Sequence, residues 1–349
     1  MTDLDTSIDA ILADPLGYAR AAPRAIGYVG FDIPEDVLAA PGLAACHLPW
    51  RTGIATPRAD QWLESSFAPW SRLILEDWAE GRFDFFDAVV FTRGDDSAQR
   101  LYYYISELQR TGELGGPRAL IHDIATIPSA ASEARCIEAL RILAAELGIG
   151  EAELREGITR ANRRRQWMAA AQAGRGGPGA RYERIARASL FAPVEGHAVP
   201  EADASAPRGR VLLAGAPPCG DWLHRAVDDA GWTVVAEAHA MSLMRLGDPV
   251  PEHGDAFEAA GKHAHGLPWG KRAFVDRAAW LVARARDARA DAVILWLYEE
   301  EEALPWHVPA QRRALDAAAI PACVLTRRAW DGGDDAAADA QAFLKGLVA

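Results

Sequence analysis

The sequence predicts an α/β protein: two Rossmann-like three-layer domains, each on a parallel sheet, joined by a helical segment. Three observations carry this expectation. The runs DAVVFT (87–92) and DAVILWL (291–297) are almost continuously apolar, as strands covered on both faces are. Strand-like runs alternate with stretches of helical period, which implies right-handed parallel crossovers. The second half of the chain then repeats the order of the first. A length of 349 residues agrees, since about 150 residues per domain suggests two domains.

In the first half, residues 25–31 (AIGYVGF) form the first expected strand. A short helix begins at Pro34, with Asp32 as its candidate N-cap. Residues 44–48 are a second short apolar run. Over 60–78, Trp62, Phe67, Trp70, Ile74 and Trp78 fall in a helical pattern that Pro69 interrupts. The strand 87–92, a helix over 97–110 and the strand 118–123 (RALIHD) complete the domain.

Helical stretches at 132–147 and 151–171 follow. From Glu151 to Arg165 the second has acids early and the basic run Arg163, Arg164 and Arg165 late, which suits the helix dipole. GRGGPG at 174–179 follows no strand and lacks the Lys-Ser/Thr ending of a phosphate loop, so it is expected to terminate a helix. A Pro- and Ala-rich stretch at 195–209 marks a boundary. The expected division is a first α/β domain over 1–130, a helical segment and linker over 131–207, and a second α/β domain over 208–349. In the last, strands are expected at 210–214, 233–236, 291–297 and 322–325. Helices are expected at 222–230, 274–288, 309–318 and 337–347, and 248–270 as a long loop or irregular helix.

With 37 basic and 49 acidic side chains the net charge is −12. That argues against generic binding to nucleic acid or anionic membranes, which rests on many cationic phosphate contacts. It leaves room for a local basic site. The longest strongly apolar run, 292–298, is too short to span a bilayer. The N-terminus MTDLDTSIDA lacks the pattern of a signal peptide. Cys46, Cys136, Cys219 and Cys323 are widely spaced, without a metal-ligand cadence. A reduced, cytoplasmic protein with buried thiols is expected.

The candidate chemistry lies in two acidic turns. Asp95 and Asp96 sit between a strand and a helix, where they serve either as caps or as groups facing a crevice. Glu299, Glu300, Glu301 and Glu302 follow the second buried strand. There they gain from a helix dipole, and in a closed crevice their repulsion would raise at least one pKa. His263 and His265 form an HxH pair without a completing ligand at recognisable spacing. With His253, Lys262 and Lys271 they make a local positive patch suited to a phosphate or CoA-like ligand.

Three runs carry a resemblance: DAVVFTRGDDSAQRLYYYISELQRTGELGGP, RVLLAGAPPCGDWLHRAVDDAGWTVVAEAHA and DAVILWLYEEEEALPWHVPAQRRALDAAAIPACVL. They resemble the 2-hydroxyacyl-CoA dehydratase family, which includes the catalytic subunits of ATP-dependent benzoyl-CoA reductase. The segment EEEEALPWHVPAQRRAL looks most like a benzoyl-CoA reductase B-type subunit. The resemblance implies two Rossmann-like domains, an acyl-CoA substrate, a homologous second subunit and an iron–sulfur activator ATPase that donates single electrons. The reaction implied is dehydration through a ketyl radical, or reduction of an aromatic ring. Asp95, Asp96, Glu299 and Glu300 are then the candidate catalytic residues, and Trp306, His307, Lys262 and Lys271 the candidate substrate-binding ones. The family's [4Fe-4S] cluster takes three cysteines, whose positions here hold Ala68, Asp95 and Glu299 (or Glu300). A cluster bound by this chain is therefore not expected. Cys219, at a strand-to-helix turn, is expected to have a lowered pKa. Two functions follow as alternatives: a subunit that completes the crevice for a cluster-bearing partner, or a non-catalytic acyl-CoA-binding or assembly subunit.

Overall fold

The computed structural model describes residues 3–173, 177–200, 207–267, 270 and 274–347. It divides into two compact units. Unit 1 is Met1–Gln166, Ala188–Gly196 and Gly247–Phe274; unit 2 is Trp167–Arg187, His197–Leu246 and Val275–Ala349.

Unit 1 begins with α1 (Asp3–Ala13), α2 (Gly17–Ala21), β1 (Ala25–Val29), α3 (Glu35–Leu38) and β2 (Ala44–His47). There follow α4 (Ala59–Trp62), α5 (Pro69–Ala79), β3 (Ala88–Thr92), α6 (Asp96–Thr111), β4 (Arg118–His122), α7 (Ala130–Glu146) and most of α8 (Glu151–Ala173). The chain continues through α9 (Gly179–Ala188), β5 (Arg210–Gly215), α10 (Trp222–Asp229), β6 (Thr233–Ala238) and α11 (Ala240–Leu243). The helix α12 (Ala256–Gly266) belongs to unit 1 again. Unit 2 closes with α13 (Arg277–Asp287), β7 (Ala292–Tyr298), a 3-10 turn (Leu304–His307), α14 (Val308–Ala317), β8 (Ala322–Arg328) and α15 (Ala336–Gly346).

Each unit is built on a four-stranded, all-parallel sheet, and the strand orders, β2-β1-β3-β4 and β6-β5-β7-β8, correspond. Ile26 of β1 lies opposite Ala45 and Ala88, and Leu213 of β5 opposite Glu237 and Ile294. Helices cover both sides of each sheet, which is why every residue of β1, β3 and β7 is buried without alternation. In unit 2, Leu212, Val293 and Leu295 pack with Leu281 of α13 and Leu315 of α14. In unit 1, Ile26, Phe91, Leu101 and Ile105 are all at most 1% exposed.

Several expectations change at the level of elements. The pattern over 60–78 makes two helices, because Ala68, preceding Pro69, takes an extended backbone (ψ 141°) that ends helical continuity. Asp32 does not cap α3; Pro34 holds the N-cap position without a side-chain hydrogen bond. Within 248–270 lies a regular helix, α12, started by the Asp255 carboxylate accepting from Glu258 N at 2.9 Å. That segment joins unit 1: α12 packs on α7, and Asn162 exchanges two hydrogen bonds with the Val250 backbone, at 2.8 and 2.9 Å. The compact units thus follow tertiary contacts rather than the linear order of 1–130, 131–207 and 208–349.

A buried ion pair anchors α8 in unit 1. Arg165 meets both carboxylate oxygens of Asp36, at 2.9 and 3.2 Å, and also the Asn162 side chain at 3.0 Å. Both charged side chains are 4% exposed. Removing either partner would strand a buried charge, a loss of about 3–5 kcal/mol.

Candidate functional site

In a doubly wound parallel sheet, ligands bind outside the carboxyl ends of the strands where the strand order reverses. In unit 1 that point lies between β1 and β3. Gly30, just past β1, has φ +93°, and a Cβ there would sit 2.0 Å from Thr92 Cγ2, so only glycine lets the two strand ends approach. The Thr92 hydroxyl donates to the Asp32 carbonyl (3.3 Å) and accepts from Gly94 N (3.0 Å), tying the two loops together. The Asp32 carboxylate lies against the backbones of Gly94 and Gly270, where added Cβ atoms would be 2.0 and 2.7 Å from its Oδ2. Asp32 is thus a loop residue at the switch point rather than the cap its sequence position suggests. Its position directly after a strand and a glycine was the available signal for a switch-point residue.

The acids of the first turn separate. Asp95 is half-buried and its Oδ1 accepts from Ala98 N at 3.0 Å, capping α6. Asp96 is exposed in the first turn of the helix, where the dipole favours a negative charge. An aromatic wall stands at the same end of the sheet. Phe31 stacks on His47 (5.1 Å between centroids), His47 meets Trp50 edge-on at 5.5 Å, and Trp50 lies 6.3 Å from Trp70. Ala68, fully buried between Phe67 and Pro69, precedes Trp70 on α5.

Unit 2 repeats the arrangement between β5 and β7. Gly215 has φ +106°, and a Cβ there would lie 2.3 Å from the Trp296 carbonyl. Ala216 N donates to that same carbonyl at 2.9 Å. The four acids after β7 face different environments. Glu299 is exposed and pairs with Arg327 at 3.2 Å, and Glu300 is half-buried. Glu301 is 3% exposed and accepts from Ala303 N and Leu304 N, at 3.1 and 3.2 Å, so it caps the following turn. Trp306 projects from that turn with its indole 85% exposed. His307 beside it is half-buried, and burial together with the Arg277 charge holds its pKa below the usual histidine value.

Of the expected basic patch, Lys262, His263 and His265 lie on α12. Lys262 lies on the exposed face of α12 in an ion pair with Glu258 one turn back; Lys271 lies outside the described residues, as do 174–176 of the glycine-rich loop. His263 Nε2 hydrogen-bonds the Asp248 carbonyl at 3.1 Å, and His265 Nε2 the Ile127 carbonyl at 3.2 Å. Each ring is thus committed to the backbone, and no group of three or more metal-ligating side chains occurs among the described residues. A buried network escaped sequence reasoning altogether. His224 Nε2 lies 2.9 Å from Glu237 Oε1, and His239 Nε2 lies 3.7 Å from Glu237 Oε2, all at most 2% exposed. The only trace of it in the sequence is the polar alternation of AEAHA at the end of an apolar strand.

The three positions where cluster cysteines are expected do not fit an iron–sulfur group. Such clusters are held by thiolates. Here the positions offer the methyl of Ala68, a capping carboxylate at Asp95 and an ion-paired carboxylate at Glu299. Cys219, in the loop between β5 and α10, is no compensation. Burial pushes its thiol up to about 11, against the opposing influence of Arg187, which reverses the lowered value expected at a helix start. Cys136 and Cys323 are likewise raised, chiefly by burial.

No described helix is long and apolar enough to cross a membrane. No curated protein matches the chain. The sequence profile of the family described as 2-hydroxyglutaryl-CoA dehydratase, D-component, matches residues 31–343, which takes in β2 to β4 of the first sheet and all four strands of the second. The chain belongs to the 2-hydroxyglutaryl-CoA dehydratase D-component family.

Proposed function

We propose that this chain is a dehydratase-family subunit that binds part of an acyl-CoA thioester and holds no iron–sulfur cluster of its own. The observation that carries this reading is the chemistry at the three expected ligand positions: Ala68, Asp95 and Glu299 supply no thiolate. In this reading a homologous, cysteine-bearing subunit holds the cluster, and an iron–sulfur ATPase supplies single electrons. The electron chemistry, dehydration or ring reduction, then belongs to the partner.

This chain's own residues bind and position. Trp306 offers an exposed indole face, and His307, held neutral near pH 7, serves as a hydrogen-bonding group rather than a charge. Asp96, exposed in the first turn of α6, is the acid offered to polar groups of the ligand, with the half-buried Glu300 as its counterpart after β7. Asp95 and Glu299 hold their own loops in shape. A second reading, a non-catalytic acyl-CoA-binding or assembly subunit, is favoured by that structural use of Asp95 and Glu299.

The test is anaerobic purification of the chain alone and with a cysteine-bearing homologue, followed by iron and sulfide analysis. The chain alone is expected to be essentially free of both; about three or more irons per chain would overturn the reading. A thermal shift should appear with an acyl-CoA and not with acetate, and shrink in Trp306→Ala. If Asp96→Asn and Glu300→Gln leave turnover of the pair unchanged, the assembly reading replaces the catalytic one.

A further inference from the structure

The basic run of α8 has no part in the reading above. Arg160, Arg163 and Arg164, spaced i, i+3 and i+4, share one helix face. They line a cavity of about 250 Å³ in unit 1. It is smaller than the 300–1,000 Å³ or so that drug-sized ligands occupy. Its other wall is apolar at Leu38, Leu43, Ala45 and Pro193 and polar at Ser189 and Glu195, the latter carboxylate being held by Arg164. Leu43 and Ala45 flank the first residue of β2, so the cavity lies at the amino end of the sheet, opposite the switch point.

The three guanidinium groups are not equivalent. Arg164 is fixed between Glu35 (3.0 Å) and Glu195 (3.2 Å), a half-buried structural link. Arg160 pairs only with Glu156 one turn back, an exposed pair of the kind that contributes little and exchanges easily. Arg163 is exposed; its charge helps to hold the Glu252 carboxyl below its ordinary value, and no hydrogen bond or close ion pair is seen for it among the described residues. Arg163, and Arg160 on exchange of its exposed pair with Glu156, thus present planar forks to an oxyanion in this cavity.

We propose that this cavity binds a small organic anion, with its oxyanion headgroup on Arg160 and Arg163 and a short apolar body against Leu38, Leu43 and Ala45. The site shares no residue with the acyl-CoA reading above and requires no iron. A carboxylate and a phosphate monoester share the required chemistry, and the size of the cavity excludes a whole nucleotide conjugate.

The test is titration calorimetry on the full chain with three probes: hexanoate, butyl phosphate and inorganic phosphate. At least one organic probe should bind one-to-one and more tightly than inorganic phosphate; the tighter of the two identifies the headgroup. R160E/R163E, both at exposed positions, should weaken that binding by about tenfold or more, a change of about 1.4 kcal/mol or more. Leu43→Ser should weaken the organic probes without changing inorganic phosphate, and Arg118→Glu, a surface control paired with Glu146, should change nothing. Absence of binding by both organic probes at about 10 mM, well above a 1 mM dissociation constant, would overturn the proposal. So would undiminished binding to R160E/R163E of unaltered circular dichroism, or inorganic phosphate binding as tightly as either organic probe.

Discussion

His122 shows how strongly a single position depends on its surroundings. It ends β4 and is 3% exposed. Burial pulls its pKa from 6.5 down to about 4, against the upward pull of Asp123. Between those values the unfolded chain binds a proton that the folded chain refuses. Stability contributed by the neutral ring is therefore present in full above pH 6.5 and is lost as the pH falls toward 4, at up to about 1.4 kcal/mol per pH unit. Urea unfolding of the wild type between pH 7 and pH 4 should show that decline, and His122→Gln should flatten it; an unchanged slope would remove His122 as its source. The sequence showed a histidine at the end of a strand. Whether it faced water was a matter of what packs over β4, which RALIHD does not contain.

At the scale of elements, local signals were legible wherever the cause was local. Pro69 broke the helical pattern where its ring forbids a helical neighbour, and Asp95 stands where a cap is needed. Asp95→Ala should lower stability by about 1 kcal/mol, seen as a shifted urea midpoint at constant slope, whereas Asp95→Asn should keep most of it. Equal losses in both variants would mean that the charge, not the cap, is what α6 uses. The same alternatives were open for Asp95, Asp96 and the four glutamates after β7, and the fold divided them by backbone reach. Asp95 and Glu301 meet unpaired N–H groups at the start of a helical turn; Glu299 meets Arg327, 28 residues away. The sequence left 248–270 between a long loop and an irregular helix because the apolar face of α12 is mostly alanine and glycine, which give little periodic contrast.

For the whole molecule, two sheets of matching strand order give a matching hierarchy of protection. β1, β3 and β7 are buried at every residue, and β5 at its four inner positions, whereas the edge strand β8 is largely half-exposed. Native-state hydrogen exchange should be slowest in these central strands and markedly faster in β8. Exchange of β8 as slow as that of β7 would contradict a sheet that ends there. The division into units also belongs to this scale. Residues 247–274 follow unit 2 strands in the chain yet pack with α7 and Asn162 of unit 1.

The order of strands and helices, the two parallel sheets and the family resemblance were determined by the sequence alone. Continuous apolar runs and helical periods are properties of neighbouring residues. Missing thiolates at Ala68, Asp95 and Glu299 were legible for the same reason: a side chain's chemistry is written at its own position. Only the tertiary structure decided which acids are caps, that burial raises the Cys219 thiol, and that Asp32 rests against two glycine backbones. It also brought the arginines of α8 to a cavity beside β2. Those outcomes depend on desolvation and on contacts between segments tens to more than a hundred residues apart, which no local pattern encodes.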